Sequence, residues 1–185
     1  MKLLNFRKVT AGLVAMIGLS ATIAFGQTAG LPAPISADVL DNEALTRRGE
    51  AVMRFFGLKV YDIRLWTPNR PHRDDEVFAL ELVYDLGLKG AEIAKRSADE
   101  MRKIGYTDEA KLKRWTEAMT KIFPDVKQGD TLVGVSVPGK EARFYSREKF
   151  IAAVPDPEFA KAFFGIWLSE KTSEPRLRER LLGGK

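Results

Sequence analysis

Two periods divide this chain. Between Glu50 and Tyr84 the large apolar side chains recur at every second position, and between Ala91 and Ile122 at every third or fourth. A period of two is that of a half-buried strand, and a period near 3.6 is that of a helix with one buried face. Leu58, Val60, Asp62, Arg64 and Trp66 therefore share one face of an extended segment, and Lys59, Tyr61, Ile63 and Leu65 the other. Gly57, near the middle of Glu50 to Trp66, marks either two strands meeting at a turn or one long bent strand. Thr67 to Asp75 is a turn, and Phe78, Leu80, Leu82 and Tyr84 then define a largely buried strand.

The helical segment opens with Ala91, Ala94, Ala98 and Met101 as its core face and stops at Gly105. Thr107 is placed to cap a second helix, whose stripe is Leu112, Trp115, Met119 and Ile122 and which Pro124 ends. Thr131 to Val137 and Glu141 to Tyr145 flank Pro138-Gly139, the pattern of a hairpin. Asp156-Pro157-Glu158 starts another helix, with Phe159, Phe163, Ile166 and Trp167 facing inward. A last basic helix runs from about Pro175 to Leu182. Strands and helices are grouped rather than alternating, which predicts an α+β fold, an antiparallel sheet packed against helices.

Composition narrows the chemistry. There is no cysteine, which excludes disulfides, thiol catalysis and cysteine-bound metal. With His72 the sole histidine, a multi-histidine metal site is impossible. The formal charge is +5, but Lys2, Arg7 and Lys8 lie in a removable segment, and without them 27 basic side chains face 25 acidic ones. No basic stripe with interleaved aromatics is present, so no nucleic-acid partner is expected. Neither a metal nor a cofactor is expected: Asp74-Asp75-Glu76 lack the alternate spacing of a calcium loop, and no phosphate-cradling glycine loop occurs. His72, between Pro71 and Arg73, is expected to be an exposed loop residue without a role.

Met1 to Lys8 form a basic stretch, Val9 to Phe25 an uncharged apolar one, and Ala24-Phe25-Gly26 a small-residue cleavage site before Gln27. That order is a secretory signal peptide, residues 1–26, and it implies a periplasmic mature protein. The alternative is an uncut anchor, the one membrane contact the sequence allows; the apolar stretch is at the lower limit of spanning length. Residues 27–40, with Pro32 and Pro34, read as a linker, and residues 41–185 as one domain.

The polar residues of the first strands, Arg47, Arg48, Arg54, Lys59, Tyr61 and Arg64, stand among large apolar ones. An arginine fork aimed into an apolar cleft is a receptor for a carboxylate or enolate oxygen, and a tyrosine hydroxyl adds a second donor. The opposing reading is a set of surface charges on an edge strand. Lys89, Lys95, Arg96, Arg102 and Lys103 read as a solvated helix face, and Trp115, Trp167, Phe163 and Phe164 as core rather than a ligand cage.

Gly49-x-Ala51 followed by Arg54-Phe55-Phe56-Gly57-Leu58-Lys59-Val60-Tyr61-Asp62-Ile63-Arg64-Leu65-Trp66 resembles the opening signature of the chalcone isomerase-like family. The helix pair around Gly105, the segment Val126 to Thr131 and the segment Phe159 to Leu168 match in the same order. The resemblance spans about Leu45 to Leu182 and implies an open-faced β-sandwich of α+β type with a ligand cleft between sheet and helices. It also implies a choice of chemistry. Plant isomerases close a flavanone ring with a cleft Arg and Thr, Tyr and Asn donors; fatty-acid-binding members place an Arg and a Tyr on the ligand carboxylate and catalyse nothing.

On this resemblance the cleft Tyr falls on Tyr61, and the cleft Arg on Arg54 or Arg48. The isomerase Tyr and Asn positions fall near Lys89 and Arg96, and the second Thr near Ala162. Those departures remove most of the donors that would hold an enolate-like transition state. The resemblance therefore implies an exported, non-catalytic protein that binds a small amphipathic carboxylate such as a fatty acid, with Arg54, Arg48 and Tyr61 as ligand-binding residues. An isomerase acting on an enone through a cleft Arg, and a periplasmic interaction module using Arg64 as a surface patch, are the alternatives.

Overall fold

A computed structural model describes Leu31, Ile35, residues 44–147 and residues 149–184. The signal segment lies outside the described residues, as does most of the linker. Six strands form one antiparallel sheet in sequential order: β1 (Thr46–Phe55), β2 (Leu58–Thr67), β3 (Phe78–Tyr84), β4 (Thr131–Val137), β5 (Glu141–Ser146) and β6 (Phe150–Val154). Helices α1 (Gly90–Lys103) and α2 (Glu109–Ile122) lie between β3 and β4, and α3 (Pro157–Leu168) and α4 (Pro175–Leu181) follow β6. The α+β class and the antiparallel sheet stand as expected.

Gly57 resolves as a true hairpin: Phe55 pairs with Leu58, and Phe56 and Gly57 make the turn. Strand β6 is an addition. Its sequence, Phe150-Ile151-Ala152-Ala153-Val154, has no alternation to announce a strand, and its edge position needs none. The cap of α2 is Asp108, one residue after Thr107, with its carboxylate accepting from the Lys111 N–H at 3.0 Å. The core face of α1 runs through Ala94, Ser97, Ala98 and Met101, while Ala91 is exposed.

Side-chain alternation divides the sheet into two faces. Ile63, Leu65, Leu80, Leu82, Leu132 and Phe144 point to the helices and build the main core with Met101, Leu112, Met119 and the α3 aromatics. Trp66, Ala79, Val133, Val135 and Tyr145 point the other way and form a second cluster. Ile35, from the segment read as a linker, is fully buried in that second cluster, so this side chain belongs to the packed fold. Arg64 is no free surface patch: its guanidinium donates to the buried Glu81 carboxylate at 3.3 Å, which also accepts from the Trp66 indole at 3.2 Å.

Two contacts lock the helices in place, one against the sheet and one between helices. A Cβ on Gly49 would collide with the carbonyls of Arg180 and Leu181, so β1 and the end of α4 meet backbone to backbone only because position 49 is glycine. Asp156 ties the other end. Its Oδ1 caps α3, accepting from the N–H groups of Glu158 and Phe159 at 2.9 and 3.1 Å, and its Oδ2 accepts from the Trp115 indole of α2 at 2.8 Å.

His72 is not the exposed residue expected. Its side chain is only 8% accessible and its ring sits edge-on to Phe78 at 4.6 Å between centroids. Nε2 lies 3.0 Å from Asp74, while the buried Nδ1 has no partner. Burial outweighs the Asp74 contact and holds the imidazole below its ordinary 6.5. A second proton would put an unpaired donor in the interior.

Two outcomes follow from these contacts. Asp156→Ala removes a cap and strands the Trp115 N–H, and should cost about 2–4 kcal/mol in urea denaturation; Asp156→Asn should cost clearly less. For His72, the unfolded chain binds the proton more readily than the folded one, so stability is full above the unfolded value and declines as pH falls through about 6.5. Melting temperature against pH should show this slope, and His72→Phe, which keeps an edge-on ring, should flatten it.

Candidate functional site

Between the helices and the hairpin end of the sheet lies a cleft of about 430 Å³. That volume is within the range of small-molecule sites. Its floor is the inner face of the sheet: Met53 of β1, Tyr61 of β2, Leu80, Leu82 and Tyr84 of β3, Leu132 and Gly134 of β4, and Phe144 of β5. Its roof is Ile93, Arg96, Ser97 and Glu100 of α1 and Phe163, Ile166 and Trp167 of α3. Phe55, Leu58 and Leu86 line it from the hairpin side, and Glu92, Ser173 and Glu174 supply further polar groups. Phe163 and Trp167 thus serve the cleft as well as the core, whereas Trp115 and Phe164 are core residues that do not line it.

Tyr61 is in the cleft, on the face that strand alternation assigns to it. Its hydroxyl accepts a hydrogen bond from the Trp167 indole at 3.1 Å. With that lone-pair position used, the phenol proton is free to be donated elsewhere. Burial above all pushes the hydroxyl up to about 12; the indole bond works against this, the charges of Glu174 and Glu100 add to it, and Arg96 opposes it. The phenol is therefore a neutral donor at any ordinary pH. Burial also pushes Tyr84 up, with a smaller contribution from Tyr61, whose ring lies edge-on to it at 5.7 Å.

Neither Arg54 nor Arg48 lines the cleft. Met53 and Phe55 both face it, and Arg54 between them projects away, its guanidinium donating to the Gly57 carbonyl at 3.2 Å across the turn. Arg48 sits at a register shift between Arg47 and Gly49 and donates to the Leu182 carbonyl at 3.1 Å, just past the end of α4. A cation there meets the unpaired carbonyls of a helix terminus. Both guanidiniums are occupied with backbone.

The guanidinium that does line the cleft is Arg96, from the helix read as a solvated face. It lies over the Phe55 ring at 5.3 Å and contacts Glu100 at 2.7 Å. Glu100 is itself buried. Burial would raise its carboxyl, but hydrogen bonds from Lys103 at 2.9 Å and Ser173 at 2.7 Å, with the Arg96 charge, hold it below the usual range. Ile93, Arg96, Ser97 and Glu100 follow a spacing of three, one and three, a second stripe beside the Ala94–Ala98–Met101 face. That stripe is the signal that could have found Arg96.

Lys89 turns out to Asp125 at 2.6 Å, and Ala162 is fully buried in the core, so neither offers the cleft a donor. Among the described residues no group of three or more His, Asp or Glu side chains could hold a metal ion. Asp75 and Glu76 are taken up by Arg73 and Arg70.

The fold is shared with a crystal structure of a fatty-acid binding protein of Arabidopsis thaliana, with a TM-score of 0.56 over 79% of this chain and 89% of that one, at 14% identity. An uncharacterized protein of Haemophilus influenzae is 25% identical over 136 residues, 73% of this chain, and the match spans 66% of that relative's length. The model of the chalcone isomerase-like family matches residues 26–183. With that match spanning most of its length, the chain belongs to the chalcone isomerase-like family.

Proposed function

We propose that this protein is exported to the periplasm and binds a small amphipathic carboxylate, such as a fatty acid, without transforming it. The observation that carries the reading is the pairing of a largely apolar cleft with one hydrogen-bonding end, where the Tyr61 phenol and the Arg96 guanidinium are both donors. The Glu100 contact engages one terminal nitrogen of Arg96, and among the described residues no other carboxylate takes up its remaining N–H groups, which an anion could use. Glu100 itself is already answered by Lys103 and Ser173, so its charge is not left to repel a ligand. The apolar walls, Leu80, Leu82, Leu132, Phe144 and Phe163 among them, suit an alkyl tail.

Absence of a reaction is supported by what the cleft lacks. An isomerase must hold a developing oxyanion with several fixed donors. Here the helix position that resembles the isomerase Tyr carries Lys89, turned out to Asp125, and the position that resembles the isomerase Asn carries Arg96, a charged group suited to a carboxylate rather than a neutral amide donor. The fatty-acid binding protein that shares the fold supports the same class of ligand.

Calorimetric titration with saturated acids of increasing length tests this. Affinity should rise about fourfold per methylene until the cleft is full. Arg96→Gln with Tyr61→Phe should weaken an acid by roughly 10–100-fold, the loss of charge-assisted hydrogen bonding, and leave its methyl ester almost unchanged. Equal losses for acid and ester would reject the polar end. Arg48→Ala should bind as the parent does.

Export has its own measurement. The intact mass of protein recovered from the periplasm should correspond to a chain beginning at Gln27. A chain retaining Met1 to Gly26 would place it in the membrane instead.

A further inference from the structure

The β1–β2 hairpin breaks a local rule. Phe56 and Gly57 both have positive φ, 48° and 82°, as the favoured two-residue hairpin turn requires. Glycine takes this conformation freely, but a bulky aromatic in the left-handed region is an outlier. The fold returns nothing for it: Phe56 is 91% exposed, its ring meeting Phe55 edge-on at 4.6 Å. Phe55 and Leu58 on either side are 49% and 64% exposed. Asn or Asp would serve the turn better and dissolve more readily.

This apolar tip is continuous with the cleft. Phe55, Leu58 and the exposed Leu86 are at once surface and lining, so the patch is the rim of the opening. Cations border it. Arg54 has no carboxylate partner among the described residues, its described bond going to the Gly57 carbonyl. Arg96 covers the Phe55 ring. Aromatic side chains at an exposed tip flanked by guanidiniums are the chemistry of an interfacial loop, which buries rings at the acyl boundary and sets cations among anionic headgroups.

We propose that the hairpin tip docks on the surface of an anionic phospholipid bilayer, inserting Phe56 with Phe55 and Leu58 and opening the cleft mouth toward the lipid. The sequence allows a membrane contact only through an uncut leader; the fold supplies this one independently of it. Charge favours the bilayer over a second copy of the chain, because a two-fold contact at the tip would bring Arg54 against its own symmetry mate. The inference extends the acid-binding reading without resting on it.

Flotation of the protein with vesicles of phosphatidylethanolamine and phosphatidylglycerol, and with phosphatidylcholine alone, tests it. The parent should float with the anionic vesicles, more weakly as salt rises. Phe56→Asn should lower the partition on the order of tenfold and raise Tm by about 2–4 °C, since Asn-Gly suits the turn; loss of binding in a better-folded variant excludes misfolding. Arg54→Gln should reduce the preference for anionic over zwitterionic vesicles. Solution titration of a fatty acid should be the same for Phe56→Asn and the parent, so failure of docking and failure of ligand binding are separate results. The proposal is overturned if the parent does not float, if Phe56→Asn floats equally well, or if light scattering shows a dimer that Phe56→Asn dissociates without any vesicle binding.

Discussion

The hydrogen bond from the Trp167 indole to the Tyr61 hydroxyl spans the cleft from roof to floor, at 3.1 Å, between residues far apart in the chain. An indole can only donate, so the phenol oxygen must accept, and the phenol proton is left to point elsewhere. Burial keeps that proton on. The strut thus does two things at once: it ties α3 to β2, and it sets the direction of the donor that gives the cleft a polar end. Without it the buried hydroxyl would be free to turn toward any neighbouring oxygen, Glu174 included, and the cleft would lose its defined chemistry.

The charges around that end make sense as a graded set. Glu100 is buried and would be costly alone, because an unpaired interior carboxylate loses far more hydration than a distant cation restores. Three donors, Arg96, Lys103 and Ser173, converge on it instead. Arg96 is the most adaptable of them, a long side chain stacked on Phe55 with only part of its fork engaged. The cluster is therefore a held cation beside a neutral donor, and the anion proposed as ligand would be met without any carboxylate having to be protonated.

Much of this was legible in the residues, and the reasons for the rest are physical. Strand alternation placed Tyr61, Ile63 and Leu65 together and opposite Trp66, since a period of two survives any detail of packing. Asp156-Pro157 marked the start of α3 because capping is a local matter. The arginines were different. The register shift at Arg47/Gly49 leaves Arg48 as the extra residue of β1, and nothing in the strand itself announces a bulge. Arg54 keeps the alternation of Met53 and Phe55, and its direction follows only once those two are known to face the helices. Arg96 was hidden for another reason: a helix face that covers a cleft is half polar, and by composition alone it resembles a face that meets water. His72 was misread because the ring it packs on, Phe78, comes from outside its own loop.

The hairpin tip is where local preference and global fold disagree, and such places are where selection for something other than stability is to be sought. The magnitude of the transfer problem shows what could repay the strain. Carrying a chain of a dozen methylenes from lipid through water to a cleft would expose it at a cost of roughly 10 kcal/mol. If the proposed docking holds, a cleft whose rim is itself apolar, with Phe55, Leu58 and Leu86 shared between lining and surface, would offer a route on which such a tail need not be hydrated at all. Against that figure a strained turn worth on the order of 1–3 kcal/mol is small. The exposed Phe56 then extends that rim outward, and the turn that holds it at positive φ stands where contact with lipid would shorten the path.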